Sequence, residues 1–115
     1  MGGLRVYISG KITGLDLEYA RIKFQESEDD LLEINPKYIP VNPMKVCPYN
    51  PDKTWEDYMA EDIKELLHCD AIYMQKGYGE SKGARCEYAL AKELDLIIMF
   101  EKDKKYDKNN VAEPI

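Results

Sequence analysis

Three short apolar runs decide what this chain can fold into: "LRVYIS" from Leu4 to Ser9, "DAIYM" from Asp70 to Met74 and "LIIMF" from Leu96 to Phe100. Each has the length and the β-branched or aromatic content of a buried strand. Segments of helical period separate them, and strands joined through helices pair in parallel. Leu15 to Ile34 carries Leu15, Ala20, Ile22, Phe24, Leu31 and Leu32 among charged residues and ends before Pro36. Trp55 to Leu67 repeats apolar residues at helical spacing, with Thr54 as N-cap and Asp57 three residues later. Lys82 to Leu94 forms a third helix, and "YIPVNP", with Pro40 and Pro43, reads as a brief strand suited to an edge. The following "MKVCPYNPDKT" has the composition of a loop. The pattern predicts an α/β domain whose mainly parallel sheet of four to five strands has helices on its faces.

A chain of 115 residues fits one such domain, expected over 1–101, with 102–115 as a charged C-terminal tail. No apolar run approaches the roughly 20 residues of a membrane span. The N-terminus enters a strand pattern almost at once and lacks signal-peptide architecture, so a cytoplasmic location is expected. Cys47, Cys69 and Cys86 are irregularly spaced and odd in number, which argues for reduced thiols and against a zinc site or a disulfide framework. A net charge of −6 would repel a phosphate backbone, so DNA and RNA are not expected partners.

In open α/β sheets the ligand sits beyond the carboxyl ends of the strands. That rule selects "SGKITG" after the first strand, "NPMKVCPYNP" after the second and "QKGYGESKG" after the third. Two carboxylates point the same way. On the third helix Glu87 shares a face with Ala84 and Ala91, beside a stripe of Tyr88 and Leu94, with Ala89 as a further small neighbour. On the second helix Asp62 shares a face with Tyr58, Met59 and Leu66. A half-buried carboxylate is costly unless paired or used. The alternative for each is a helix rotated enough to solvate the charge. Paired carboxylates flanking a scissile bond are what glycosidic chemistry requires.

The glycines in "GYGESKG" (Gly77, Gly79, Gly83) permit close backbone approach at a helix N-terminus, where Ser81, Lys82 and Arg85 add a hydroxyl and two cations. This fits a phosphate or sugar cradle, but neither the Walker nor the dinucleotide glycine spacing is present. The "GKITG" turn, with Gly10, Lys11, Ile12 and Gly14, could supply a second backbone cradle or be a plain tight turn. His68, the only histidine, fits a helix end better than a metal site, and Cys86 has no histidine partner in its pattern. Tyr7 and Tyr78 are placed where a base could stack or a carboxylate be held.

In order and spacing, "VYISGKITG", "EDIKELLHCDAIYM" and "SKGARCEYALAKELDLIIMF" resemble the nucleoside 2-deoxyribosyltransferase family, including its 2'-deoxynucleoside 5'-phosphate N-hydrolase relatives, over about three quarters of the chain. Tyr7, Ser9 and Gly10 match the family's first strand and loop, Asp62 its aspartate, and Gly83 with Glu87 its nucleophile context. The resemblance implies a flavodoxin-like, Rossmann-like three-layer sandwich that cleaves or transfers the N-glycosidic bond of a (deoxy)nucleoside or its 5'-monophosphate. Glu87 would be the nucleophile, Asp62 would orient substrate or assist the departing base, and Tyr7 would hold Glu87. Ser9, Gly10, Lys11, Ile12, Gly14, Gly79, Ser81 and Gly83 would bind substrate. No metal or organic cofactor is implied, and a homodimer or larger homo-oligomer is. Transferases of the family tend to carry an aspartate six residues before the nucleophile; Ser81 stands there, which suits a phosphate. The competing reading is a non-catalytic nucleotide-binding or sensing module on the same fold.

Overall fold

A computed structural model of the chain describes residues 3–102. The expected tail therefore lies, beyond Lys102, outside the described residues. Four strands form one sheet: β1 (Arg5–Ser9), β2 (Ile39–Val41), β3 (Ala71–Met74) and β4 (Ile97–Phe100), in the order β2-β1-β3-β4. Every pairing is parallel, with Tyr7 beside Val41 on one side and Ile72 on the other. β2 is an edge strand, which suits its one proline: Pro40 has no N–H to donate to a ladder.

Period-two alternation divides the core into two layers. Val6, Ile8, Ala71 and Tyr73 face one way and pack against Phe24 and Leu31 of helix α1 (Leu17–Ile34). Tyr7, Ile72 and Met74 face the other way and meet Leu66, Ala84 and Ala91. These last three belong to helices α3 (Trp55–Leu66) and α4 (Lys82–Glu93), and the short helix α2 (Pro43–Val46) follows β2. The molecule is thus a three-layer α/β sandwich of the flavodoxin-like kind, with sheet order reversing between β1 and β3. No helix among the described residues is long and apolar enough to cross a membrane.

Several expectations change in detail. The segment after β2 is not all loop: Asn42 accepts from the Met44 amide and Pro43 occupies the first turn, which is enough to start α2. α1 starts at Leu17 rather than Leu15, because Asp16 caps it by accepting from the Tyr19 amide. Its inner stripe is Ala20, Phe24, Ser27 and Leu31, while Ile22 and Leu32 are exposed. On α4 the small residues against the sheet are Ala84 and Ala91; Ala89 and Leu94 are exposed.

Candidate active site

β1 carries the first half of the site. Tyr7 and Ser9, two residues apart, project from the same face of the strand toward α4. There the Tyr7 hydroxyl donates to Glu87 Oε2 at 2.9 Å and the Ser9 hydroxyl donates to Oε1 at 2.6 Å. Both carboxylate oxygens of Glu87 are therefore held, although the side chain is 80 residues from Tyr7 in sequence and only 5 % exposed. Burial pushes the Glu87 carboxyl up to about 7; the Asp62 charge adds to this, and the hydroxyls of Ser9 and Tyr7 oppose it. The Tyr7 phenol is raised well above its ordinary value by its own burial and then by Glu87, so it stays a donor.

α3 carries the second half. Its capping box, in which Thr54 Oγ1 accepts from the Asp57 amide and Asp57 accepts from the Thr54 amide, fixes where the helix begins. Two turns on, Asp62 turns inward and is buried. Burial pushes its carboxyl up to about 6; a hydrogen bond from the Cys47 thiol works against that rise. Burial, followed by Asp62, pushes the Cys47 thiol in turn up to about 12. Cys47 therefore acts as a donor at neutral pH.

Asp62 and Glu87 line one cavity of about 490 Å³ at the carboxyl end of the sheet, within the usual size of a small-molecule site. Of the expected substrate-binding residues, Gly10, Ile12, Gly14, Ser81 and Gly83 also line it. Ser9 lies behind Glu87 as a buried support. Lys11 and Gly79 are not on the lining, and the Gly79 carbonyl accepts from the Arg85 guanidinium at 2.7 Å. Lys82 sits over the Trp55 ring, 4.6 Å from its centre. Ser81 caps α4 by accepting from the Ala84 amide. Of the cradle read in "GYGESKG" and Arg85, only Ser81 and Gly83 reach the cavity, and neither cation does. Tyr78 is not a stacking platform: it packs with Tyr88 and Phe100 away from the lining.

Two glycines on the lining sit close to other side chains. A Cβ on Gly10 would lie 2.0 Å from Gln75 Oε1, and Gln75 is fully buried with its amide nitrogen bonded to Ser27. A Cβ on Gly83 would lie 3.0 Å from Met59 Sδ, so its absence lets α4 settle against α3. The stretch after β2 that the strand-end rule selects does reach the cavity, through Met44, Cys47 and Tyr49; Trp55 and Tyr58, in the first turn of α3, also line it and were not expected there from sequence. Tyr58 also closes that segment on itself, its hydroxyl donating to the Asn50 carbonyl and accepting from the Asn50 amide, each at 2.7 Å.

His68 is exposed and its Nδ1 lies 2.8 Å from the Lys64 carbonyl, a helix-end contact. Among the described residues no group of three or more His, Cys, Asp or Glu side chains is placed to hold a metal ion.

A comparison with curated proteins gave no match. A family model described as a domain of unknown function, DUF4406, matches residues 4–100, a span that holds all four strands and both buried carboxylates, and the chain belongs to that family.

Proposed function

We propose that this domain cleaves or transfers the N-glycosidic bond of a (deoxy)nucleoside or nucleoside 5'-monophosphate, with Glu87 as nucleophile. The observation that carries this reading is a buried carboxylate gripped on both oxygens by Tyr7 and Ser9 and opening, with Asp62, onto a cavity of nucleoside size. A structural carboxylate would be expected to have a cationic partner; Glu87 has two neutral hydroxyls instead, an arrangement that orients the anion without neutralising it. The resemblance to nucleoside 2-deoxyribosyltransferases supports the same chemistry.

In this mechanism a Glu87 oxygen attacks the anomeric carbon as the bond to the base nitrogen breaks, through an oxocarbenium-like transition state. A glycosyl-enzyme ester results. Asp62, raised to about 6, can be protonated near neutral pH and give its proton to a neutral leaving base. It can then take a proton from the water, or from the second base, that discharges the ester. Tyr7 and Ser9 are positioning residues that hold the attacking carboxylate. The aromatic and methionine wall would take the base.

The test is incubation of the purified chain with ribo- and deoxyribonucleosides and their 5'-monophosphates, with and without a free acceptor base, followed by chromatography. Base release that disappears in Glu87→Gln is the expected result, and exchange onto the acceptor would identify a transferase. If no substrate reacts while nucleotides still raise the melting temperature, the domain is a binding module.

A further inference from the structure

The charge of the cavity lining is one-sided. Among the described residues it contains two carboxylates, Asp62 and Glu87, and no lysine, arginine or histidine. Three cations near it are engaged by other groups: Arg85 by the Gly79 carbonyl, Lys53 by Glu61 at 2.7 Å, and Lys82 by the Trp55 ring. Trp55 and Tyr58 both line the cavity, and each ring also has a lysine ammonium near it, Lys82 at 4.6 Å and Lys53 at 5.4 Å, neither of which is on the lining. Two buried carboxylates in a lining that has no cation of its own favour a ligand that brings the positive charge, with aromatic side chains on the same lining to pack a planar ring.

From this geometry we infer that the cavity selects N-glycosides whose aglycone is a cationic heteroaromatic ring, such as a pyridinium or an N-alkylated purine. The inference rests on the glycosidic reading of Glu87 and narrows its substrate class. It also simplifies the chemistry. When a Glu87 oxygen bonds to the anomeric carbon, the electron pair of the breaking carbon–nitrogen bond moves to the ring nitrogen and cancels its charge. The aglycone leaves neutral and needs no proton. Water then attacks the anomeric carbon, Asp62 takes the water proton, and the carbon–oxygen pair returns to Glu87. Both carboxylates can be ionised when the substrate binds.

The groups that set this charge are few. Glu87 faces Tyr7 and Ser9 on β1 and Asp62 on α3. Asp62 faces Cys47 beyond α2, with Glu61 and Glu65 on its own helix and Lys53 just before it. Because both carboxyls are raised, the lining gains negative charge as pH rises from 5 to 8, and preference for a cation should rise with it.

The experiment compares binding of 1-methylnicotinamide, a cation that cannot be hydrolysed at a sugar, with neutral nicotinamide by calorimetry at pH 5 and pH 8. The cation is expected to bind about tenfold tighter at pH 8, with the ratio shrinking at pH 5 and in both Asp62→Asn and Glu87→Gln. Thermal melts of the two variants check that they are folded. Equal affinities at pH 8, a ratio indifferent to pH and to both variants, or no binding of either compound in the millimolar range would overturn the inference. The outcomes stay separable from the parent reading: neutral nucleosides could still be cleaved through Glu87 with no cation preference, and a cation preference could persist in a domain that cleaves nothing.

Discussion

Glu87 is useful because of how it is held. Two hydroxyl donors offset part of what burial costs its charged form, and removing one shifts that balance in a known direction. Tyr7→Phe keeps the ring in the core and deletes only the donor to Oε2. The Glu87 carboxyl should then rise further, so base release at pH 7 is expected to fall about tenfold, the equivalent of one lost hydrogen bond to a charged group. Relative to wild type at the same pH, much of that loss should be recovered by pH 9, where the Glu87 carboxylate ionises again, while both proteins slow as Asp62 loses its proton. A pH–rate profile separates this from simple damage, which alkaline pH would not repair. Glu87 was legible in the sequence for a physical reason, whereas Ser9 came from the family resemblance, as a substrate-binding residue, and so did the hold of Tyr7 on Glu87. A carboxylate at helical spacing among alanines is conspicuous, while the pairing of Tyr7 and Ser9 on one face of β1 became evident only in the fold. Cys47 was not legible as a partner of Asp62, since nothing local distinguishes a thiol that packs from one that donates.

At the level of elements, two helices aim the carboxylates, and their starting points set the aim. α3 is fixed by the reciprocal Thr54 and Asp57 bonds at 3.1 and 2.9 Å, and Asp62 sits two turns further on. Thr54→Ala should cost about 1 kcal/mol of stability in a denaturant titration. It should also lower base release at fixed pH while leaving Glu87 in place, because fraying the first turn loosens Trp55 and Tyr58 on the wall. An unchanged unfolding midpoint would mean that packing of Leu66, not the cap, holds the helix. The same capping pattern made α3 readable from sequence. α2 was not readable, because one turn has no periodicity and its only signals are Asn42 and Pro43. The stripe of α1 was drawn too wide: a helix on this sheet buries a narrow line of residues, and Ile22 and Leu32 fall outside it. The stretch after β2 was placed at the site by the strand-end rule, but which of its side chains line the cavity was not, as such a segment has no face to assign until the rest of the chain is folded around it.

The molecule as a whole bears the cost of burying two acids in one cavity, and that cost should appear in its stability. In the folded chain Glu87 titrates near 7 and Asp62 near 6, against ordinary values of 4.5 and 3.8. Both folded-state values are raised, so between about pH 4 and pH 7 the folded state binds more protons than the unfolded one. Unfolding free energy therefore falls as pH rises through that window. The two groups interact, so their shifts do not simply add. A loss on the order of 2 kcal/mol from pH 5 to pH 8 is expected, which lowers the melting midpoint by roughly 5–10 °C in a domain of this size. Surface repulsion works in the same direction, since the net charge of −6 at pH 7 shrinks toward the sequence pI near 4.8. The two causes separate in the Asp62→Asn, Glu87→Gln double variant, which keeps nearly all of the surface charge and removes both buried acids. Its melting midpoint should be higher than wild type at pH 8, match it more closely at pH 5, and vary less between the two. If the wild-type dependence persists in full in the double variant, surface charge is its source and the buried pair titrates normally. If it flattens, the domain gives up stability at neutral pH to keep two carboxylates dry and facing each other's cavity, as a site for their use would require.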